Sequence, residues 1–495
     1  MFKHIIEKTP LKTMTPDILQ DDEASAFPRE VQGLLDEGIL DGFIPNHLEG
    51  NMGSIQDTLH LGRLLSRRSL TTAIALGQTL LGSLPVWLYG NEEQKKSLVA
   101  ILKSGGLNCL ALTEEENGSD LALTQVRDIK GVISGKKWCI NNATKGKALS
   151  VLTKNENDVL NVYFVQKNKK YSGSFTNIPK ILTLGIRGAD ISGIEFHQFS
   201  QEGSLLGRPG QGLEIILKTM QISRLLCSSF SLGASDTILR RALEFSLERK
   251  LYGKEIIHIP AVSSKLLISY EKLLLIEAFS LMCARFVTMC PEVLSLYSAV
   301  SKYYVTKLAD EIILSCTEVI GGRFYIRDSQ YGIAQKIMRD HRVVSLFDGN
   351  SDVNIGIIAG QLKRISELSS PKENVQEIYQ VKNPAPHFTG DEKLRLTTRG
   401  RDFIWEAQTY EKLLQDRAEL FKKINSIENI QSPEMLSCVE KYCELTLKAN
   451  YELFTHYNKE SFDFKIDLEN LDLALPLEQL QKKCLFSHFE NKIND

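Results

Sequence analysis

The sequence lacks the segments that carry a protein through or into a membrane. No apolar run reaches the ~18 residues needed to span a bilayer, and residues 1–7 lack the apolar core of a signal peptide. A strong charge of either sign is also missing, because 59 basic and 61 acidic residues leave a net charge of -2. This balance predicts no role on nucleic acid or at a membrane surface. The cytoplasm is the expected location.

Cysteine pairs of the metal-binding or redox type are absent as well. The nine cysteines are an odd number, are scattered along the chain and form no CxxC pair. The sequence therefore predicts no metal site and no disulfide framework, and most of the thiols are expected to be buried and reduced. What is present is an ordinary globular composition, with 43% hydrophobic and 24% charged residues. A chain of 495 residues predicts several domains.

The spacing of apolar residues divides the chain into four parts. Residues 1–107 have helical spacing, residues 108–210 have strand-like alternation and frequent glycine, and residues 211–369 return to the helical period. Residues 370–495 predict a connector and a helical extension. The expected fold class is α+β, with an N-terminal helical domain, a middle antiparallel β domain, a C-terminal domain like a four-helix bundle, and the extension.

Two strand predictions follow within the β domain. The segment Val132–Ile140 has the pattern of a strand, a turn at Gly135 and a second strand. The apolar segments 149–153 and 159–165 flank a polar turn and predict a hairpin.

A carboxylate followed by glycine interrupts two helical patterns near residue 348. The segment 337–353 has a charged helical start, then Phe347-Asp348-Gly349-Asn350, then a renewed apolar stripe. Glycine at such a break lets the backbone approach a ligand closely. Asp348 therefore has the placement of a catalytic base. On spacing alone, the alternative is that Asp348 is the N-cap of the following helix.

A loop at residues 110–120 gives a resemblance to a known family. Its sequence, LALTEEENGSD, predicts a strand end and a Gly-Ser turn whose N–H groups and hydroxyls suit a phosphate. It resembles the ALTEPxAGSD signature of the acyl-CoA dehydrogenases. That resemblance implies that Leu112, Thr113, Gly118 and Ser119 bind FAD, and that Ser119 also faces the substrate.

A tryptophan motif follows at the expected distance. The segment KKWCINN, residues 136–142, is similar to the family's KxWITNG. This implies that Trp138 lies against the flavin, although a lone tryptophan in a strand is usually part of a core. Ile140 stands where the family has a threonine beside flavin N5, so one hydrogen bond, worth on the order of 1 kcal/mol, is lost there.

Two further segments resemble cofactor motifs of the family. RKLYGK, residues 249–254, is similar to RxxFGK, which implies that Arg249 and Tyr252 reach the FAD of a neighbouring subunit. Pro260 replaces a glutamine expected after this motif. The segment at 318–322, EVIGG, resembles QxxGG, which implies FAD contacts for three residues: Glu318, Gly321 and Gly322. An acidic Glu318 near a pyrophosphate is repulsive unless it is protonated or turned away.

The break near residue 348 carries the remaining site residues. It is similar to the family segment RDARVxxIYEGTxxI, in which the carboxylate before the glycine takes the substrate α-proton. The resemblance makes Asp348 the catalytic base, with Gly349 beside the substrate and Asn350 and Asp352 beside the cofactor. Arg224 matches an arginine that lines the acyl-CoA channel, although its usual acidic partner is replaced by glutamine at 221.

The resemblance implies a reaction and its partners. The reaction is FAD-dependent α,β-dehydrogenation of an acyl thioester carried on CoA or on an acyl carrier protein, with Asp348 as base and hydride transfer to flavin N5. An electron-transfer flavoprotein is the implied acceptor, and a homodimer or homotetramer the implied assembly. Two alternatives remain: a non-catalytic or partner-dependent homologue, and a flavin oxidase or monooxygenase on the same fold. The aspartate itself is a departure, because the family usually has glutamate.

Overall fold

The computed structural model describes residues 16–327, 330–367 and 375–458. Its N-terminal part is helical, as predicted. The helices are α1 (Pro16–Glu23), α2 (Arg29–Asp36), α3 (Ile55–Arg68), α4 (Leu70–Tyr89) and α5 (Glu92–Lys103). Asn91 caps α5, since its side chain accepts from the Gln94 N–H at 2.9 Å.

Helix α4 is long and apolar enough to cross a membrane by length and composition. Its 18-residue window has a mean hydropathy of 1.2, and all of that window is buried inside the protein. The sequence has no unbroken apolar run of this length, because threonine, serine and glutamine interrupt the apolar residues of α4. The burial identifies α4 as a core helix between α3, the β domain and the C-terminal helices.

A seven-stranded sheet forms the middle of the chain. Its strands are β1 (Asn108–Ala111), β2 (Arg127–Ile129), β3 (Val132–Asn141), β4 (Ala148–Asn155), β5 (Leu160–Gln166), β6 (Ser172–Ile178) and β7 (Ile191–Ser200). The predicted hairpin is confirmed as the β4–β5 pair. The sheet is mixed rather than purely antiparallel, because β1 and β2 both run parallel to β4.

The prediction of a turn within β3 is wrong. The segment is one strand that pairs with β7 and carries two bulges, one near Gly135 and one between Lys137 and Ile140. Gly135 has φ 123, which a residue with a side chain rarely adopts. A bulge inserts a residue and bends the strand without ending it, so a glycine in this strand marks a bend, not a turn.

The C-terminal helices form the predicted bundle around one long helix. They are α6 (Gly212–Glu248), α7 (Pro260–Met289), α8 (Leu294–Val300), α9 (Thr306–Ile320), α10 (Gly332–His341) and α11 (Ser351–Glu367). The short strands β8 (Lys250–Leu251) and β9 (Lys254–Glu255) form a hairpin after α6. A π turn, Ser301–Val305, joins α8 to α9. Pro260 is the first residue of α7, a position that suits proline.

The extension packs against this bundle. It contains α12 (Gln376–Tyr379), α13 (Phe403–Ala407), α14 (Glu411–Ser426) and α15 (Pro433–Tyr457). Buried residues of α14 and α15 belong to the same hydrophobic core as the bundle. The predicted helical extension is confirmed for the residues that the structure describes, and the residue boundaries assigned to the four parts stay predictions.

Candidate functional site

Asp348 lies at the turn between α10 and α11. Its backbone is left-handed, with φ 56, and Gly349 follows at φ 85. Asn350 caps α11, because its Oδ1 accepts from the Val353 N–H at 2.9 Å. The alternative in which Asp348 is the helix cap is therefore wrong, and its carboxylate is left for other partners.

Helix α6 supplies the residues that surround Asp348. Arg224 is 3% exposed, and its Nε donates to the main-chain oxygen of Asp348 at 3.4 Å. A Cβ added to Gly349 would lie 3.3 Å from Arg224 Nη2, so the guanidinium lies directly against the turn. The Cys227 Sγ lies 3.8 Å from Asp348 Oδ2. Arg224 is thus a buried residue in the middle of a helix, and not a surface arginine at a helix end.

The residue that replaces the usual acidic partner of Arg224 has a different role here. Gln221 is buried, and its Nε2 donates to the main-chain oxygen of Arg395 at 2.8 Å. Gln221 therefore ties α6 to the C-terminal extension beside the candidate site.

Burial and nearby positive charge act in opposite directions on Asp348. Burial raises the pKa of the Asp348 carboxyl. The positive charges of Lys302 and Arg224, and hydrogen bonds from Ser223 and Cys227, oppose that rise. Burial also lowers the pKa of Arg224 to about 10. A raised carboxyl pKa brings a group closer to the range in which general bases work.

The loop that resembles the flavin signature is fixed to strand β3. The Trp138 N–H donates to Thr113 O at 2.9 Å, and Lys137 Nζ donates to Leu112 O at 2.8 Å and to Glu114 at 2.7 Å. Lys137 is fully buried, and desolvation lowers its pKa to about 8. Thr113, Leu112 and Trp138 are half-buried. The structure therefore brings these predicted cofactor residues together where the loop after β1 meets β3.

The side chain of Ile140 lies on the buried face of β3. It is buried in the β-domain core, with Val126 and Ile133, while its neighbour Cys139 is exposed and has φ 57. The bulge between Lys137 and Ile140 is the physical cause. Only the backbone of Ile140 is therefore left for a cofactor contact, and such a contact stays a prediction.

The hairpin after α6 carries Arg249 and Tyr252 into solvent. Arg249 ends α6 and accepts from the Ile256 N–H at 2.8 Å through its main-chain oxygen. Tyr252 is 93% exposed at the hairpin turn. Neither side chain contacts the Asp348 turn in this single chain, so both face outward, as the prediction of a neighbouring subunit requires.

Glu318 lies beside a cation. Its carboxylate forms an ion pair with Lys265 of α7. Gly321 and Gly322 follow at the end of α9, and a Cβ added to either meets nothing within 4 Å. Arg323 stacks at 5.8 Å on the ring of Phe245, which places this glycine pair beside the end of α6 that leads to Arg249.

The remaining predicted residues, Gly118, Ser119 and Asp352, are exposed. Gly118 and Ser119 are exposed in the loop after β1, and a Cβ added to Gly118 meets nothing within 4 Å. Asp352 is exposed in the first turn of α11, next to the helix cap Asn350.

Comparison with known families identifies the class of protein. Three family models match in order: the acyl-CoA dehydrogenase N-terminal domain over residues 1–106, the middle domain over 109–199 and the C-terminal domain over 210–363. The helical, β and helical parts described above coincide with these three matches. The chain belongs to the acyl-CoA dehydrogenase family.

Individual relatives agree with this assignment. A probable acyl-CoA dehydrogenase of Mycobacterium bovis is 25% identical over 71% of this chain and 92% of its own. The mitochondrial short-chain specific acyl-CoA dehydrogenase of Sus scrofa is 25% identical over 71% of this chain and 86% of its own. An acyl-CoA dehydrogenase of Bacillus anthracis, solved with FAD, has a TM-score of 0.74 at 19% identity and covers 99% of this chain and 84% of its own. That fold match includes the C-terminal extension. The protein is a flavoprotein oxidoreductase, and its cofactor is FAD.

The residues on the open surface fit FAD. Asn117, in the loop after β1, has a buried Nδ2 without a hydrogen-bond partner among the described residues, and the glycines at 118, 321 and 322 leave open space. Arg249 is an exposed cation of the type that binds a pyrophosphate. Leu112, Thr113 and Trp138 would hold the ring system beside β3.

Sequence reasoning missed two buried lysines and a buried thiol behind the site. Lys137, Cys227 and Lys302 are all buried and contact or face predicted site residues. Lys302 carried one signal, because it is a lone lysine among apolar residues of a helical stretch. Lys137 carried none, because its burial depends on the bulge in β3.

Proposed function

We propose that this protein removes hydrogen from Cα and Cβ of an acyl thioester and that Asp348 takes the α-proton. The observation that carries the proposal is the placement of Asp348. Asn350 caps the helix, Arg224 holds the main chain of the turn, and the surroundings raise the carboxyl pKa. FAD, when bound, accepts the hydride equivalent from Cβ.

The turn also suits the thioester carbonyl. An α-proton next to a thioester becomes more acidic when donors bind the carbonyl oxygen, and we assign one such donor to the main-chain N–H of Asp348. Gly349 has no side chain, which lets Arg224 Nη2 lie directly against the turn. Arg224 is placed to hold the Asp348–Gly349 backbone still while the proton moves.

The aspartate sets a demand on the substrate position. Its side chain is one methylene shorter than glutamate, so the carboxylate lies about 1.5 Å further back on an equal backbone. A misplacement of about 1 Å costs about 10²-fold in rate. The acyl group must therefore bind closer to α6 than a glutamate base would require.

A product assay tests the proposal. The holoenzyme is incubated with CoA thioesters of different chain length and an electron-accepting dye, and mass spectrometry detects the loss of two hydrogens. Asp348→Asn keeps the size of the side chain and tolerates left-handed φ, yet removes the base. We expect a rate at least ~10²-fold lower with unchanged FAD content. Asp391→Asn, at an exposed residue of the connector, is the control and should behave like the parent.

The assay also separates the alternatives. Product formation by Asp348→Asn at the parental rate contradicts the assignment of the base. Turnover on acyl carrier protein but not on CoA selects the carrier. A holoenzyme that converts no thioester on either carrier favours the partner-dependent homologue, to which the core position of Ile140 also points.

We further propose an electron-transfer flavoprotein as acceptor and an assembly of at least two copies. The support for the assembly is the exposed position of Arg249 and Tyr252 at the hairpin after α6, and the acceptor follows from membership of the family. An arginine that binds the FAD of a neighbouring copy has to be exposed on the surface of its own chain.

A further inference from the structure

A buried lysine lies behind the Asp348 turn. Lys302 is 1% exposed and belongs to the π turn Ser301–Val305 between α8 and α9. Single π turns inside helices are frequent at functional sites. An ammonium group in the interior is costly unless charge and hydrogen bonds compensate it, so the groups that surround Lys302 reveal its role.

Cys227 and Arg224 of α6 face Lys302, and its other partners lie on one short segment. Its Nζ donates a hydrogen bond to the main-chain oxygen of Val344. The same Nζ lies 5.0 Å from the centre of the Phe347 ring, a cation–π contact. Its charge also attracts that of Asp348. Lys302 therefore touches the start of the turn, packs on the residue before Asp348 and acts on the carboxylate.

The other groups that face the turn come from α6 and α11. Helix α6 presents Ser223, Arg224 and Cys227. The Asn354 amide of α11 donates to Gly349 O at 2.8 Å. Arg224 is directed at the main-chain oxygen of Asp348, and Lys302 is the largest of the charges that oppose the effect of burial on the carboxyl pKa. Burial favours the protonated form of a carboxyl, and a protonated carboxyl cannot accept the α-proton.

We propose that Lys302 is a positioning residue for Asp348, which fixes the segment 344–348 and keeps the carboxylate ionised through a buried positive charge. This inference rests on the proposed function, in which the ionised carboxylate of Asp348 is the base. Two separate properties of Lys302 are involved, a hydrogen-bond donor and a charge, and substitutions separate them.

The test is the protonation of Asp348 in variants of the full-length holoenzyme. Lys302→Gln keeps a donor and removes the charge, and Lys302→Arg keeps both. Infrared difference spectra against Asp348→Asn isolate the protonated-carboxyl band of Asp348 and follow it with pH. We expect the midpoint to move upward by about one pH unit in Lys302→Gln and to stay near the parental value in Lys302→Arg. The acidic limb of kcat/KM should move with it.

Controls keep the outcome interpretable. Lys307→Gln removes a charge from the partly exposed start of α9 and should leave the midpoint unchanged. Lys302→Met, a neutral variant of similar size, replaces Lys302→Gln if glutamine at this buried site prevents folding. An unchanged midpoint in a neutral, FAD-containing variant overturns the inference, and so does a uniform loss of activity without movement of the acidic limb. Because the infrared signal needs no turnover, it tests Lys302 even if the protein converts no acyl thioester.

Discussion

The charge of Glu318, a predicted cofactor residue, is balanced by its neighbour Lys265. A carboxylate beside a pyrophosphate is repulsive, yet Lys265 of α7 forms an ion pair with it. Both side chains are about half exposed, so the pair itself stabilises the fold by less than about 1 kcal/mol. We propose that at this position the pair cancels a negative charge next to the FAD pyrophosphate.

At this scale we expect Lys265→Met to weaken FAD binding. The unpaired Glu318 then repels the pyrophosphate, and the Kd for FAD should rise about fivefold, since one exposed charge contributes roughly 1 kcal/mol. Glu318→Gln in the same background should restore the parental Kd. Isothermal titration of the apoprotein with FAD measures both. Equal affinity in Lys265→Met and the parent at low salt contradicts the role assigned to the pair.

At the level of secondary-structure elements, the turn between α10 and α11 depends on two consecutive residues with left-handed backbone conformation. Asp348 has φ 56 and Gly349 has φ 85. Aspartate tolerates this conformation better than most residues, and glycine adopts it freely. The turn is also tightly enclosed, since Arg224 lies behind Gly349 and Lys302 holds Val344 and Phe347.

We expect Gly349→Ala to be destabilising and to lower activity. A Cβ at this φ costs roughly 1–2 kcal/mol, and it would press on Arg224 Nη2 at 3.3 Å. Urea unfolding measures the first effect and the thioester assay the second. Gly356→Ala, in the exposed interior of α11 with nothing within 4 Å of its Cβ, is the control and should be neutral or stabilising. Equal stability losses in the two variants would remove the argument from backbone strain.

The sequence predicted this turn but not the bulge in β3, and the difference is physical. An Asp-Gly pair between two apolar stripes is a local signal, because both φ values depend on the residues themselves. The bulge lies between Lys137 and Ile140, where Lys137 forms a buried ion pair with Glu114, 23 positions away. No local pattern shows that a lysine is buried, so the orientation of Ile140 could not be predicted.

For the molecule as a whole, the extension is part of the catalytic bundle. Asp402 is 1% exposed and accepts hydrogen bonds from the hydroxyls of Tyr297 and Tyr442, each at 2.8 Å, and from Arg417 at 2.8 Å. These partners lie on α8, α15 and α14. Arg285 of α7 adds hydrogen bonds to main-chain oxygens in and near α12.

We therefore expect Asp402→Asn to destabilise the whole protein. The substitution keeps the shape but removes the charge that Arg417 needs, and breaking a buried ion pair costs roughly 3–5 kcal/mol. Urea unfolding followed by flavin release should show one transition moved to lower denaturant. Asp391→Asn, an exposed residue of the connector, is the matched control. A separate early transition with the flavin still bound would show that the extension unfolds independently.

Helical stripes were enough to predict the helices of the extension but not their attachment. Apolar spacing shows which face of a helix is buried, whereas the partner of that face is set by tertiary contacts. The Asp402 network joins residues more than 100 positions apart, such as Tyr297 and Asp402. The sequence therefore left open whether these helices packed on the bundle or on a partner.

One measurement tests the central claim most directly: the visible spectrum of the FAD-loaded protein before and after anaerobic addition of acyl-CoAs of mixed length. If Asp348 is the base, the flavin bands bleach in the parent and persist in Asp348→Asn, with equal flavin content in the two proteins. Bands that bleach equally in both would contradict Asp348 as the base. Bands that persist in the parent with every thioester, on CoA and on acyl carrier protein, would contradict the dehydrogenase function itself.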